Sequence, residues 1–115
     1  MTKVYGIKNC DTVKKAIKWL ADNGLSPQLH DYRVDGLDAN WLEQMADKFG
    51  WENLVNKRST TWRGLDDEIK NNLSKELALK VLNEQPTLIK RPIVLAENVA
   101  LIGFNETEYK QAFGK

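Results

Sequence analysis

The feature that most constrains this chain is a change of apolar period within its first 32 residues. Lys3 to Ile7 carries Val4, Tyr5 and Ile7, which favour a pleated strand, although Gly6 weakens it. Beyond Asp11 the spacing switches. Val13, Ala16, Ile17 and Leu20 recur at three- and four-residue intervals, which predicts an amphipathic helix over residues 11–23. Asn23-Gly24 supplies residues that tolerate a left-handed helix end, and Pro27 to Tyr32 reads as a second strand. Strand, helix and strand in that order predict a βαβ unit with parallel strands and a right-handed crossover.

Further along, Asp35-Gly36 marks a turn, and Asp38 is placed to cap a helix bearing Leu42, Met45, Ala46 and Phe49 that Gly50 closes. Trp51 to Leu65 is less regular. Asp66 opens a short helix, and Ser74 caps another with Leu77, Ala78, Val81 and Leu82 on one face; Pro86 ends it or starts a new turn. Arg91-Pro92 leads into IVLAE, Asn98 begins a turn, and VALIG follows at hairpin distance. Asn105 and Glu108 make a capping-box-like start for a last helix to Phe113. The order βαβ, several helices, ββα is the thioredoxin-like plan. It predicts an α/β fold in a single domain over residues 1–115, with residues of about 38–86 as a helical insertion between the two halves.

A net charge of +1, with both signs mixed throughout, leaves no electrostatic footprint for direct nucleic-acid binding. No apolar run is long enough to span a bilayer, and the N-terminus lacks the layout of a signal peptide, so a cytoplasmic setting away from membranes is expected. Cys10 is the only cysteine, which excludes an internal disulfide and cysteine-rich zinc sites. His30 is the only histidine and reads as a strand residue, so no metal site is expected.

Cys10 follows the first strand and stands at the mouth of the first helix, where the leading N–H groups lack intrahelical partners and carry partial positive charge. The thiolate is the nucleophilic form, and an ordinary cysteine offers only a little of it at neutral pH. Each unit of pKa lowering takes about 1.4 kcal/mol, whereas a helix terminus supplies about 0.3–1 kcal/mol. The helix alone therefore falls short of a strongly acidic thiol, and cations must contribute. Lys8 and Lys14 are close in sequence, Asp11 opposes them if it turns to the sulfur, and Arg58, Arg63 and Arg91 come from distant segments.

The stretches YGIKNCDTVKKAIKWL, HDYRVDGLD, NKRSTTWRGL, LIKRPIV and LIGF occur in this order over nearly the whole chain. Together they resemble the arsenate reductase-like family, the ArsC and Spx relatives with a thioredoxin-like fold, and most closely its YffB-type subgroup. The resemblance implies that Cys10 is a catalytic nucleophile and that Arg91 stands before a cis-proline, Pro92. It also implies that Lys8, Asn9, Thr12, Lys14, Arg58, Arg91 and Pro92 bind substrate or glutathione. Arg58 matches an arginine of Spx-like and YffB-like relatives; the arsenate-resistance enzymes place theirs two positions earlier, where this chain has Asn56.

The chain departs from the resistance enzymes at several of their working positions. Their histidine four residues before the cysteine is Gly6 here, their serine and arginine after it are Val13 and Lys14, and their third arginine falls near Phe104. Each lost guanidinium removes paired hydrogen bonds to an arsenate oxyanion. Spx-type regulators usually carry Cys-x-x-Cys, whereas Val13 holds the second position here, so no internal redox switch can form. With one sulfur, a mixed disulfide must be resolved by an outside thiol. The expected activity is glutathione-dependent thiol–disulfide reduction. Glutathione serves as co-substrate with no tightly bound cofactor, an oxidised thiol or anionic compound is the substrate, and glutaredoxin is a candidate recycling partner. The alternatives are an Spx-like non-enzymatic regulator that binds RNA polymerase, and arsenate reductase.

Overall fold

The computed structural model describes residues 2–115. The chain forms two compact units, Met1–Gly36 with Arg91–Lys115, and Leu37–Lys90.

In the first unit, β1 (Thr2–Gly6) leads through α1 (Asp11–Asp22) to β2 (Pro27–Asp31), and β3 (Ile93–Ala96) turns into β4 (Val99–Ile102) and α7 (Glu106–Phe113). The strands form one sheet in the order β2-β1-β3-β4. β1 runs parallel to β2, from Thr2 opposite Pro27 to Gly6 opposite Asp31, and antiparallel to β3, with Val4 opposite Val94. A βαβ half and a ββα half thus share a mixed sheet, and the fold is α/β and thioredoxin-like, as the change of period predicts.

Side chains alternate across a strand, so Val4 and Val94 share a face while Tyr5 points to the other. Val4 and Val94 pack with Val13, Ala16, Trp19 and Leu20 of α1 and with Tyr109 of α7. The Trp19 and Tyr109 rings meet edge-on at 5.6 Å. Tyr109 is fully covered, and its hydroxyl donates to the Gly103 carbonyl at 2.6 Å, which lets a polar tip enter the core without loss. α1 ends at Gly24, whose φ is +77°. The Gly24 N–H donates to the Ala21 carbonyl and the Leu25 N–H to the Leu20 carbonyl, a Schellman closure that turns Leu25 back onto the core.

Gly6 is needed for a different reason. A β-carbon there would lie 2.7 Å from Cγ2 of Val13, in the first turn of α1. Val13 is fully buried and β-branched, so its methyl has no alternative rotamer to take up. Gly6→Ala is expected to cost about 1–3 kcal/mol in urea unfolding. The same change should cost less when made in a Val13→Ala background, which lacks the clashing methyl but is itself destabilised. An unshifted midpoint for Gly6→Ala would show that the contact yields freely.

The second unit is helical: α2 (Ala39–Phe49), α3 (Trp51–Leu54), α4 (Thr60–Arg63), α5 (Asp67–Asn71) and α6 (Lys75–Glu84), then a 3-10 turn at Pro86–Leu88. Asp38 caps α2 by accepting from the Asn40 and Trp41 N–H groups, and Ser74 caps α6 by accepting from Leu77. Leu42, Met45 and Ala46 of α2, Leu54 of α3, and Ala78, Val81 and Leu82 of α6 are buried. The stretch Trp51 to Leu65, irregular by its spacing, holds α3 and α4. Each is a single turn, too short to display an apolar period, and Ser59 marks α4 only through the bond it accepts from the Trp62 N–H. A bridge between Val55 and Ile89 joins two segments far apart in sequence. It is flanked by the Asn56 N–H donating to Leu88 at 2.9 Å and the Lys90 N–H donating to Leu54 at 2.7 Å. No helix among the described residues is long and apolar enough to cross a membrane.

Candidate functional site

The β1–α1 connection is held by hydrogen bonds of its main chain to backbone and side-chain partners. The Tyr32 N–H donates to the Gly6 carbonyl at 2.9 Å, which continues the β1–β2 pairing by one step. The Lys8 N–H donates to Oδ2 of Asp31 at 2.9 Å. The Cys10 N–H donates to Ile7 at 3.2 Å and closes the turn, while the Cys10 carbonyl accepts from Lys14 and begins α1. Cys10 is therefore the N-cap residue, extended at φ −106° and ψ 123°. Its thiol is half-buried at the edge of the core that contains Val13 and Ala16.

Burial is the largest single influence on this thiol and pushes its pKa up. The Val13 N–H, the Arg91 guanidinium, as hydrogen-bond donor and as charge, and the Thr12 N–H all pull it down, and together they win: the pKa lies below the ordinary 9.0. The sulfur closes no cap hydrogen bond of full geometry, so the two helix amides act on it through looser contacts. That makes Arg91 the decisive cation. Its position follows from sheet register. Ile93 opposes Tyr5, so the residues ahead of β3 run beside the end of β1, and a β-carbon on Gly6 would lie 3.8 Å from Cβ of Arg91. Arg91 also acts on Tyr32, whose phenol is held far above its usual range by burial, with the guanidinium pulling it partway back.

The structure gathers some of the candidate residues around Cys10 within the first unit. Cys10, the Thr12 amide and Arg91 meet at the mouth of α1. Pro92 is buried, its peptide bond with Arg91 is cis, and its carbonyl accepts from the Gly103 N–H at 2.8 Å. Lys8, Asn9 and Lys14 are exposed, and the bond from Lys8 to Asp31 uses its backbone, not its ammonium. Arg58 belongs to the second unit, where it is exposed and its N–H donates to Oδ1 of Asn56 at 3.1 Å. Trp62 of the same unit is half-buried, with the Nζ atoms of Lys57 and Lys70 at 5.6 and 5.8 Å from its ring centroid. His30 sits in β2, its Nε2 2.8 Å from the Gly36 carbonyl and its ring 5.1 Å from that of Tyr5.

Sequence reasoning missed Asp31. Its side chain is 7% exposed, and besides Lys8 it accepts from the Arg33 N–H at 2.8 Å. Burial opposes ionisation most strongly, yet the N–H groups of Lys8, Arg33 and Val34 and the Arg33 charge hold the carboxyl below its ordinary 3.8. An aspartate at the end of the second strand was the available signal, but nothing local says which amide it would take. Because the folded pKa is depressed, the stabilisation is fully present above 3.8 and is lost as pH falls through the folded value. Asp31→Asn, which presents a donor or a weaker acceptor to Lys8, is expected to lose about 1–3 kcal/mol at neutral pH. The gap from the parent in urea unfolding should narrow in acid. A gap independent of pH would remove the carboxylate charge from the explanation.

The ArsC family model matches residues 5–112 of the chain. An uncharacterized protein of Haemophilus influenzae is 67% identical over 113 residues, which cover 98% of this chain and 99% of that protein. The global transcriptional regulator Spx of Lactiplantibacillus plantarum is 27% identical over 113 residues, with 96% of this chain and 85% of the regulator covered. Among solved structures, a YffB protein superposes with a TM-score of 0.91 at 36% identity, over 97% of this chain and 98% of the other.

Proposed function

Because the chain belongs to the ArsC family, we propose that it is a glutathione-dependent thiol–disulfide reductase whose nucleophile is Cys10. The observation that carries this reading is a half-exposed thiol whose pKa Arg91 and the opening amides of α1 hold below its ordinary value against the opposing effect of burial, in a chain with no second cysteine. In the first step the Cys10 thiolate attacks the glutathione sulfur of a mixed disulfide. The old S–S bond breaks, the product leaves as a thiolate that takes a proton from solvent, and Cys10 is left joined to glutathione. A second glutathione thiolate then attacks that glutathione sulfur, which releases oxidised glutathione and restores the Cys10 thiolate. The net exchange turns the mixed disulfide and one glutathione thiol into the substrate thiol and oxidised glutathione, so one disulfide bond is exchanged for another. Arg91 stabilises the thiolate in both its attacking and its leaving role. Lys8, Asn9, Thr12, Lys14, Arg58 and Pro92 contribute to binding glutathione or an anionic substrate, and glutaredoxin is a candidate for recycling the thiol.

The test is turnover of a glutathione mixed disulfide with reduced glutathione, together with the pH profile of Cys10 alkylation. Turnover above the rate with glutathione alone, and an alkylation midpoint below the ordinary 9.0, are expected. Turnover equal to that background overturns the reading.

The similarity to Spx regulators favours a second reading, a non-catalytic protein that binds RNA polymerase. Retention of polymerase subunits from cell extract, without thiol-dependent turnover, would select it. Arsenate reduction is weaker on chemical grounds, since Gly6 and Val13 replace two polar residues of the resistance enzymes. A direct arsenate assay with glutathione and glutaredoxin decides it.

A further inference from the structure

A cleft of about 360 Å³ opens in the second unit, lined by Val55, Asn56, Lys57, Arg58 and Lys90. It is large enough for a small molecule. Three of its lining residues are cations and none is an acid. Among the described residues neither Arg58 nor Lys90 takes part in an ion pair, while Lys57 leans on the Trp62 ring.

Backbone hydrogen bonds, not carboxylate partners, bring these cations together. The bridge of Val55 with Ile89, and the bonds from Asn56 to Leu88 and from Lys90 to Leu54, place the start of the 55–59 loop beside Lys90. Asn56 then shapes the loop. Its Oδ1 accepts from the Arg58 N–H at 3.1 Å, and its carbonyl accepts from the Ser59 N–H and from Oγ of Ser59 at 2.8 Å. With Oδ1 so used, the Asn56 amide has its N–H groups left to donate. Like charges set close together repel, and a bound anion turns that repulsion into charge-assisted hydrogen bonds. Arg58 offers a planar fork of donors suited to carboxylate or phosphate oxygens.

We propose that this cleft binds a small, multiply charged oxyanion, a dicarboxylate or a phosphate-bearing molecule, through Lys57, Arg58 and Lys90. The cleft is formed by the second unit alone and needs no thiol, so it stands or falls separately from the reaction at Cys10, although Arg58 figures in both.

The test is a ¹⁵N NMR titration of the full chain with S-methylglutathione, which has two carboxylates and no free thiol, and separately with pyrophosphate. Saturable shifts are expected at the amides of Lys57, Arg58, Ser59 and Lys90, and added salt should weaken them. Arg58→Gln and Lys90→Gln should each weaken binding by about tenfold, and both residues are exposed, so the fold should persist. Cys10→Ser should bind unchanged. A response to S-methylglutathione alone assigns the cleft to carboxylates, and a response to pyrophosphate alone assigns it to phosphates. If neither probe shifts these amides, or if the Arg58→Gln/Lys90→Gln double variant binds as the parent does, the proposal is overturned. Binding that persists in a protein without turnover would sink the reductase reading and leave the cleft standing.

Discussion

Cys10→Ser is expected to reduce turnover of a glutathione mixed disulfide to the rate seen with glutathione alone, a loss of about 10³-fold or more if the parent works at an ordinary enzymatic rate. The size of the effect comes from chemistry, not from geometry. A serine oxygen cannot form a disulfide, and its proton is held far too tightly for an alkoxide to be present at neutral pH. No second cysteine can substitute for the lost thiol. The fold provides its own control. Cys10 is an N-cap residue whose sulfur closes no full cap hydrogen bond, and serine is among the preferred caps. Stability in urea should therefore hold or rise slightly while activity vanishes. Retained turnover in a stable Cys10→Ser protein would take the cysteine out of the mechanism altogether.

Arg91→Gln is expected to move the Cys10 pKa up towards 9.0 and to slow alkylation at pH 7 by about three- to tenfold. The lower part of that range reflects solvent screening, since the thiol is only half-buried. Raising the salt concentration should slow the parent and leave Arg91→Gln nearly unaffected. Stability follows with a definite sign. A thiol whose folded pKa is depressed stabilises the protein fully above 9.0, and the contribution is lost as pH falls through the folded value. Between those limits the parent should gain stability with rising pH more steeply than Arg91→Gln does. Turnover should fall with the alkylation rate, because the same thiolate serves both. An alkylation profile that Arg91→Gln leaves in place would mean that the helix amides alone govern the sulfur.

Cations near Cys10 in sequence proved a poor guide to the cation near it in space. Lys8 and Lys14 are close along the chain and exposed, whereas Arg91 reaches the sulfur because β3 pairs with β1. Asp31 acts on the loop in the same way, from a position 23 residues beyond the amide it receives. Trp51 to Leu65 resisted assignment for the opposite reason, since its helices are too short for any period to repeat.

By itself the sequence determined what can be settled within a few turns of chain. The spacing of Val13, Ala16 and Leu20 made α1 an amphipathic helix, Asp38, Ser74 and Asn105 set helix starts through their own side chains, and Cys10 was placed at a helix mouth. Only the tertiary structure decided which distant groups serve that position. It brought Arg91 to the thiol, Asp31 to the Lys8 amide, and the Lys90 segment to the Asn56 turn. Hydrophobic period and capping are local and repeat along the chain, so they can be read from residue types. A partner delivered by strand register leaves no such trace, because the pairing depends on the whole sheet or core having already formed.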